Sequence, residues 1–597
     1  MSRTIRIGAA TAFFNDSRVG IYQLLEKAGA LDYIIFDFLA ESVMGGLGRG
    51  MVAGTGQGFA ADFAPGYILP HLQTLLDRGI RIVANAGGLN PAACAEDLRS
   101  RAQAAGLEVR IGVVEGDNLT ARCTEIVGPQ TLDMFDGSSV LDKIASADQV
   151  NSLVAYTGAF PIAAALAAGA DIVITGRAVD SAMALGPLIH EFGWGPDDFD
   201  LLAAGTLAGH LLECSAQITG GTFTDWREVP DWAGIGMPVG ECSADGALVI
   251  TKPEGTGGLV SIGTVAEQLL YEVSDPQRYY VADVICDFTE VRLEQLGRDR
   301  VSVTGARGLG RTESYKASLT YEKGWRASAL IPVIGLEAAA KAKRMGEELV
   351  VRTNNLLRQS QLPPLTRSHC DIIGGEGSGS TTALCRLVAD HPDEQGAAVL
   401  VREQSSAISH MSVGTSLTLA ASVRPLQHIA GFLVPKSTVA LKVSLDGQPL
   451  EFAVATDAIS RDADVPAPPL PPLPVDADPQ HTLPLISLAW ARSGDKGNLF
   501  NVAVIAREPQ YLPYIAAALT PVAVGTHYGD VLGLGAALKV DRFSVPRLSA
   551  LNFVVRDSMD GGILASTSID AVAKGRAQML LEYPVPVSAA LWRSMAS

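Results

Sequence analysis

The stretch Gly169-Ala-Asp-Ile-Val-Ile-Thr-Gly-Arg-Ala-Val-Asp180 decides the fold. Ile172, Val173 and Ile174 are apolar at successive positions, so a strand built from them must be covered on both faces. Glycine and charge follow at once in Gly176, Arg177 and Asp180, which marks the strand's carboxyl end. The same design appears upstream in Asp32-Tyr-Ile-Ile-Phe-Asp-Phe-Leu-Ala-Glu41. Further β-like runs lie at residues 3–10, 80–86 and 108–115, separated by segments such as 91–105 that are long enough to hold crossover helices. Strand alternating with helix predicts an α/β fold, a parallel sheet with helices on both sides.

Polar residues gather just after each of these runs: Thr11 and Asn15-Asp16, Asp37 and Glu41, Asn85-Ala-Gly-Gly88, Glu115-Gly-Asp117, then Gly176-Arg177 with Asp180. Ligands of open parallel sheets bind outside the carboxyl ends of the strands, so the common placement predicts one cleft. Service in turns and helix caps is the competing reading for each residue taken singly.

Farther along, residues 199–219 read as a Leu/Ala-rich helix stopped by Gly220-Gly221. Residues 280–335 read as β-rich, 337–356 as a helix and 439–444 as a strand. Pro466-Ala-Pro-Pro-Leu-Pro-Pro-Leu-Pro474 places six prolines in nine residues, which favours an extended, semi-rigid spacer. Beyond it, strands at 483–490 and 499–506 flank Ala491-Arg-Ser-Gly-Asp-Lys-Gly-Asn498; helices near 511–519 and 571–581 and a strand at 549–556 complete a small α+β unit, for which a ferredoxin-like arrangement is expected. The predicted organisation is a large α/β domain at 1–360, a small α+β region at 361–457, a linker at 458–482 and a ferredoxin-like domain at 483–597.

Composition narrows the function. A chain of 597 residues, 48% hydrophobic and 18% charged, is built for several packed domains. Its net charge of −18, with no block of Lys or Arg, argues against nucleic acid as a partner. Acidity leaves anionic small molecules open, because a few amides and one cation can bind them locally. Cys94, Cys123, Cys214, Cys242, Cys286, Cys370 and Cys385 form no CxxC pair, so neither a zinc site nor a disulfide framework is signalled and no metal is expected. The first residues run into a strand without a signal core, and no uncharged stretch of about 18 residues reads as a membrane span. A cytoplasmic location is expected.

Gly209-His210-Leu-Leu-Glu213-Cys214 places His210, Glu213 and Cys214 at i, i+3 and i+4, on one helical face. Glu and His can move protons if burial brings them toward neutrality, and this is favoured over thiol chemistry. The competing reading is a surface His–Glu pair with Cys214 filling the core. Asp180 joins these three as the candidate catalytic set. Ser493-Gly-Asp-Lys-Gly-Asn498 reads as a glycine-bearing loop able to turn amides and Lys496 toward an anion; a plain β-turn is the alternative. Candidate binding residues are therefore Asp37, Glu41, Asn85, Glu115, Arg177, Ser493, Asp495, Lys496 and Asn498. Gly305-Ala-Arg-Gly-Leu-Gly310 lacks the dinucleotide spacing, leaving Arg307 and Arg311 to contact an anion or another domain, and Gly377-Ser-Gly-Ser380 lacks the order of a nucleophile elbow.

Together with Ala84-Asn-Ala-Gly-Gly-Leu-Asn-Pro91 and Gly205-Thr-Leu-Ala-Gly-His-Leu-Leu-Glu-Cys214, the two opening stretches resemble the acyclic terpene utilisation protein A family. Residues 491–498 look like the signature of the small ferredoxin-like domain that follows the large domain in many members. The resemblance is strongest over 1–360 and 483–597, and the region between departs from the expected pattern. It implies catabolism of acyclic terpenoids, whose chains are activated as CoA thioesters, carboxylated, hydrated and cleaved.

On that basis the expected activity is hydration/dehydration or carbon–carbon cleavage, a lyase reaction on a branched acyl-CoA or carboxylate. Coenzyme A then enters as part of the substrate, and no separate cofactor is identified. The alternative is a noncatalytic protein that binds a CoA metabolite or assembles with the pathway's enzymes. A homo-oligomer is compatible with either.

Overall fold

The computed structural model describes residues 3–144, 146–375, 381–461 and 465–596. The Gly377–Ser380 motif lies outside them. Six strands organise the N-terminal half: β1 (Thr4–Thr11), β2 (Tyr33–Phe36), β3 (Arg81–Ala84), β4 (Ile111–Glu115), β5 (Val150–Ala155) and β6 (Ile172–Thr175). β1, β2, β3, β6 and β4 pair side by side in that order, all parallel, with Ile7 opposite Tyr33, Ile34 opposite Ile82 and Ile82 opposite Ile172. The chain steps one strand at a time to β3, skips a place to β4 and returns to insert β6. Antiparallel strands extend both edges: Val239–Ser243 beside β1, and Lys442–Leu445 beside β4.

Both faces are buried, as the continuous apolar runs require. Ile34, Phe36, Ile172 and Ile174 pack on one side with helices Val19–Lys27, Leu72–Arg78 and Pro91–Ala104. Tyr33, Ile35 and Val173 pack on the other with helices Phe160–Ala167, Ala182–Phe192 and Phe199–Glu213.

The Phe199–Glu213 helix stops six residues before the expected end at 219. Ser215 adopts a left-handed backbone (φ 47°) and its Oγ donates to the Ala9 carbonyl, a tertiary contact that outweighs local helix propensity. Cys214 is thereby a cap residue beyond the helix and does not extend the His210–Glu213 face.

The β-rich region is dominated by one long strand, Ser314–Ile334, which pairs with β5, Thr382–His391 and Ala420–Pro435 to make a second sheet. Helix Ala338–Gln359 covers one face of it. Segment 361–457 is thus divided: its first strands complete this second sheet, and Lys442–Leu450 returns to the edge of the first. Arg311 is tied to Asp197 and Asp457, a structural role.

After the proline run the chain forms a four-stranded antiparallel sheet, in the order Ala489–Lys496, Leu499–Ala506, Ala550–Val555, Val540–Val545, around a core with Phe500, Tyr528 and Phe553. The proline segment is pinned on both sides, its carbonyls accepting from Gln277 (2.7 Å, at Pro466) and Ser544 (2.9 Å, at Pro469). Ser493 to Lys496 belong to a strand rather than a loop, and the turn is at Gly497 (φ 58°), where a β-carbon would lie 2.4 Å from the Phe135 ring. Among the described residues no helix is long and apolar enough to cross a membrane.

Candidate active site

Several of the polar residues that follow the parallel strands meet at one place. Asp37 follows β2 and Asn85 follows β3; Asn85 donates to Asp37 Oδ1 (2.7 Å) and accepts from the Phe38 amide (2.8 Å). Burial, the charge of Asp180 and, more weakly, that of Glu213 raise the Asp37 carboxyl well above its usual range, against Arg177 and Asn85. After β4 it is Asp117 that turns inward, accepting from the Arg177 amide at 2.7 Å. Gly176 makes room for it, since a β-carbon there would lie 2.2 Å from Asp117 Oδ1. Burial pushes the Asp117 carboxyl up to about 7, with that hydrogen bond opposing. Glu115 stays at the end of β4, opposite Lys442, and acts on Asp117 only by its charge.

Arg177 is 3% exposed, pairs with Asp180, donates to the Ala178 carbonyl and lies 4.2 Å from the centre of the Tyr156 ring. Among the described residues its Nε has no hydrogen-bond partner. Tyr156 follows β5 and donates to Glu41 (2.5 Å); Lys316, on the long strand, donates to the same carboxylate oxygen (3.2 Å). Burial disfavours the charge on Glu41, but Lys316, Arg177 and Lys496 outweigh it and hold this carboxyl far below the usual range.

The end of the Phe199–Glu213 helix closes the site. His210 is buried against Tyr279 and Phe288, which also pack on each other, and its Nε2 faces the Leu269 carbonyl at 3.1 Å. Its Nδ1 lies 3.4 Å from Glu213 Oε1, at ion-pair distance but without hydrogen-bond alignment. Burial lowers the tendency of His210 to charge, and Glu213 more than restores it, so His210 titrates above its usual value. Glu213 is also raised, by burial first, against the attraction of His210. Both partners therefore hold a proton more tightly than they would in water. The Glu213 side chain is 13% exposed, against 2% for His210, so the carboxyl is the more accessible member of the pair.

The C-terminal domain supplies the facing wall. Thr224 Oγ1 donates to the Ala491 carbonyl (3.0 Å), Asn501 to that of Leu270 (2.8 Å) and Asn552 to those of Val273 and Ser274 (2.8 and 2.7 Å). Arg507 forks onto Asp225. Lys496 lands beside the cleft, where its charge acts on both Glu41 and Glu213, but its ammonium is paired with Glu272. Burial opposes the Lys496 charge, yet Glu272, Glu41 and Tyr279 raise its pKa well above the usual value. Asp495, next to it, is pushed up to about 7 by burial and by Glu272. Lys574 also reaches Glu272 (3.3 Å), and burial brings it down to about 8.

Ser493 and Asn498 have structural parts to play. Ser493 is buried, donating to Ala573 and accepting from the Ala577 amide; Asn498 Oδ1 accepts from the Gly561 amide. Cys214 lines a neighbouring pocket of about 500 Å³ at the end of β1, together with Phe13, Ser215 and Gln217. Burial first, then the charges of Glu213 and Glu272, raise its thiol well above the ordinary range, so it is a poor nucleophile.

Sequence reading missed Tyr156, Lys316, Glu272, Lys574 and the inward turn of Asp117. Tyr156 carried a signal, since it follows an apolar strand run as Asp37 and Asn85 do. Lys316, Glu272 and Lys574 sit in no motif. The basic groups here are each matched by an acid, Arg177 by Asp180, Lys316 by Glu41, and Lys496 and Lys574 by Glu272, so an incoming anion competes with internal carboxylates.

No curated protein matches the chain. Residues 5–445 match the family model described as acyclic terpene utilisation family protein AtuA, including segment 361–445, which the sequence reading had set apart. Residues 483–586 match the AtuA ferredoxin-like domain. With strand-end cleft, helix-borne His–Glu pair and docked C-terminal domain all inside these matches, the chain belongs to the acyclic terpene utilisation AtuA family.

Proposed function

We propose that the protein is an enzyme of acyclic terpenoid or branched-chain acid catabolism that acts on an acyl-CoA thioester by hydration/dehydration or carbon–carbon cleavage. The observation that carries this reading is the buried His210–Glu213 pair, both of whose members hold protons more tightly than usual, close enough to Asp37 and Lys496 for their charges to act on one another. A carboxyl tuned upward can take and return a proton near neutral pH.

In the hydration direction Glu213 accepts a proton from water as the oxygen adds to the β-carbon. The electron pair of the double bond moves toward the thioester carbonyl, and as it returns the α-carbon takes the proton held by Glu213. In cleavage of a β-hydroxy thioester, the same carboxylate takes the hydroxyl proton, the bond between the α- and β-carbons breaks, its electron pair enters the enolate and a carbonyl compound departs; the enolate's α-carbon then takes the proton back from Glu213. Both routes build negative charge on the carbonyl oxygen, which Lys496 and Arg177 are placed to offset. His210 positions and recharges Glu213 from behind. Asp180 holds Arg177.

A noncatalytic binding role is favoured by one observation: Arg177 and Lys496 are each engaged by an internal carboxylate, Asp180 and Glu272. Incubating the full chain with branched enoyl-CoA and β-hydroxyacyl-CoA thioesters in ¹⁸O-labelled water, read by mass spectrometry, separates the two. Turnover abolished in Glu213→Gln supports catalysis. Binding without turnover of any thioester supports the second reading.

A further inference from the structure

We infer that the second sheet carries an anion site, separate from the cleft, that takes a phosphate-bearing small molecule through Arg424. Arg367, Asp390, Arg326 and Arg424 are register partners on four adjacent strands, so their side chains form a row on one sheet face. Two residues on, Ser328 and Ser422 pair across the strands (Oγ to Oγ 2.9 Å), and the next row brings Arg386 beside Asp371. Residues 563–571 of the C-terminal domain arch over this face and leave a pocket of about 340 Å³. Arg326, Arg386, Arg424, Ser328, Ser422 and Ser568 line it.

The acids present are already committed. Asp390 takes two hydrogen bonds from Arg326 (2.7 and 2.9 Å) and two from Arg367 (2.9 and 2.6 Å). Asp371 is shared by Arg386 and His369, and Asp560 pairs with Arg367. Arg326 spends its remaining donors on the carbonyls of Ala565 and Ser566, so it anchors the overlying segment. Arg424 is left over. Among the described residues it makes no hydrogen bond or ion pair; its side chain is exposed, stands opposite Arg326, and has its pKa lowered by partial desolvation first, then by Arg326, Arg49 and Arg386 against Asp390. An unpaired guanidinium among like charges, lining the same pocket as the Ser328, Ser422 and Ser568 side chains, is a receptor for a multiply charged oxyanion: the anion would relieve the repulsion and use the planar donor fork. The overlying segment adds Ile563, Leu564 and Ile569 beside Ser566 and Ser568. That pairing suits a ligand with a phosphate at one end and a planar or apolar body at the other.

The inference rests on this geometry alone and does not depend on the reaction proposed above. Calorimetric titration of the full chain with adenosine 3′,5′-bisphosphate and with inorganic pyrophosphate tests it. Binding that weakens with added salt, falls at least tenfold in Arg424→Gln, is partly kept in Arg424→Lys and is unchanged in Lys496→Met is the expected result. Tighter binding of the nucleotide than of pyrophosphate assigns the apolar side chains to a nucleoside, and equal binding assigns the site to free phosphates. Absence of binding for both probes at millimolar concentration, or full affinity in a folded Arg424→Gln, overturns it.

Discussion

His210 presents Nδ1 to Glu213 Oε1 at 3.4 Å while Nε2 faces the Leu269 carbonyl at 3.1 Å. With the carbonyl taking an N–H from Nε2, Nδ1 is left facing the carboxyl at ion-pair distance, short of an aligned hydrogen bond. Charge on His210 therefore favours an ionised Glu213, and an ionised Glu213 favours charge on His210.

Glu213→Gln should lower kcat by about 10²–10⁴, the usual worth of a general acid/base, with little change in thioester affinity. His210→Gln keeps a polar group of similar size but removes the attraction that holds Glu213 down, so the acid limb of the pH–rate profile, set by Glu213 as base, should move to higher pH. Steady-state kinetics across pH 5–10 check both. A pH profile in His210→Gln identical to that of the parent chain would assign His210 to packing alone.

Lys496→Met should weaken binding of an anionic ligand in the cleft by about 1–3 kcal/mol, the cost of losing a hydrogen bond to a charged group. Glu272→Gln should do the opposite, since it releases the ammonium from its present partner. Isothermal titration of both variants with one thioester decides the matter: equal affinity in all three proteins leaves Lys496 as an interdomain tie.

Asn501 and Asn552 are buried and donate across the domain junction to Leu270, Val273 and Ser274. Replacing either by Ala strands buried carbonyls, at a cost of about 1–3 kcal/mol each. Denaturant unfolding measures the loss, and faster amide exchange in helix Ile262–Leu270 should accompany it. Protection unchanged there would mean that the junction is held by the Asp225 fork instead.

Asp117 sets a pH dependence of stability. Its folded pKa, about 7, is above the ordinary carboxyl value of 3.8, so the folded state keeps a proton that the unfolded chain releases. Its contribution is fully present below pH 4 and is lost as pH rises through 7. Asp117→Asn should flatten this part of the curve, a change on the order of a few kcal/mol because each tenfold in acid dissociation is worth about 1.4 kcal/mol. Melting temperatures of both proteins between pH 4 and 8 test it, and parallel curves would count against the assignment.

Cys214 should resist alkylation. Its thiol is held well above the usual range by burial and by Glu213, so iodoacetamide at pH 7.5 should modify it far more slowly than a free thiol, and Cys214→Ser should retain turnover. Rapid labelling at Cys214, followed by mass spectrometry, would restore it as a nucleophile candidate.

By itself the sequence determined the parallel sheet and the place where its polar ends meet. Ile34-Ile35-Phe36 and Ile172-Val173-Ile174 are local, continuous apolar runs, and the polar residues after them need only the chain's own direction to reach one sheet edge. The His210–Glu213 spacing was legible for the same reason, since three residues along a helix is a local distance. Tertiary structure alone decided the rest. Ser215 ended the helix early through its contact with Ala9, 206 positions away. Asn501 and Asn552 brought Lys496 to the cleft, where it met Glu272, 224 positions distant. Lys316 reached Glu41 across 275. Such pairings depend on how separate sheets pack, and no periodicity in one segment encodes the charge that a distant segment will place against it.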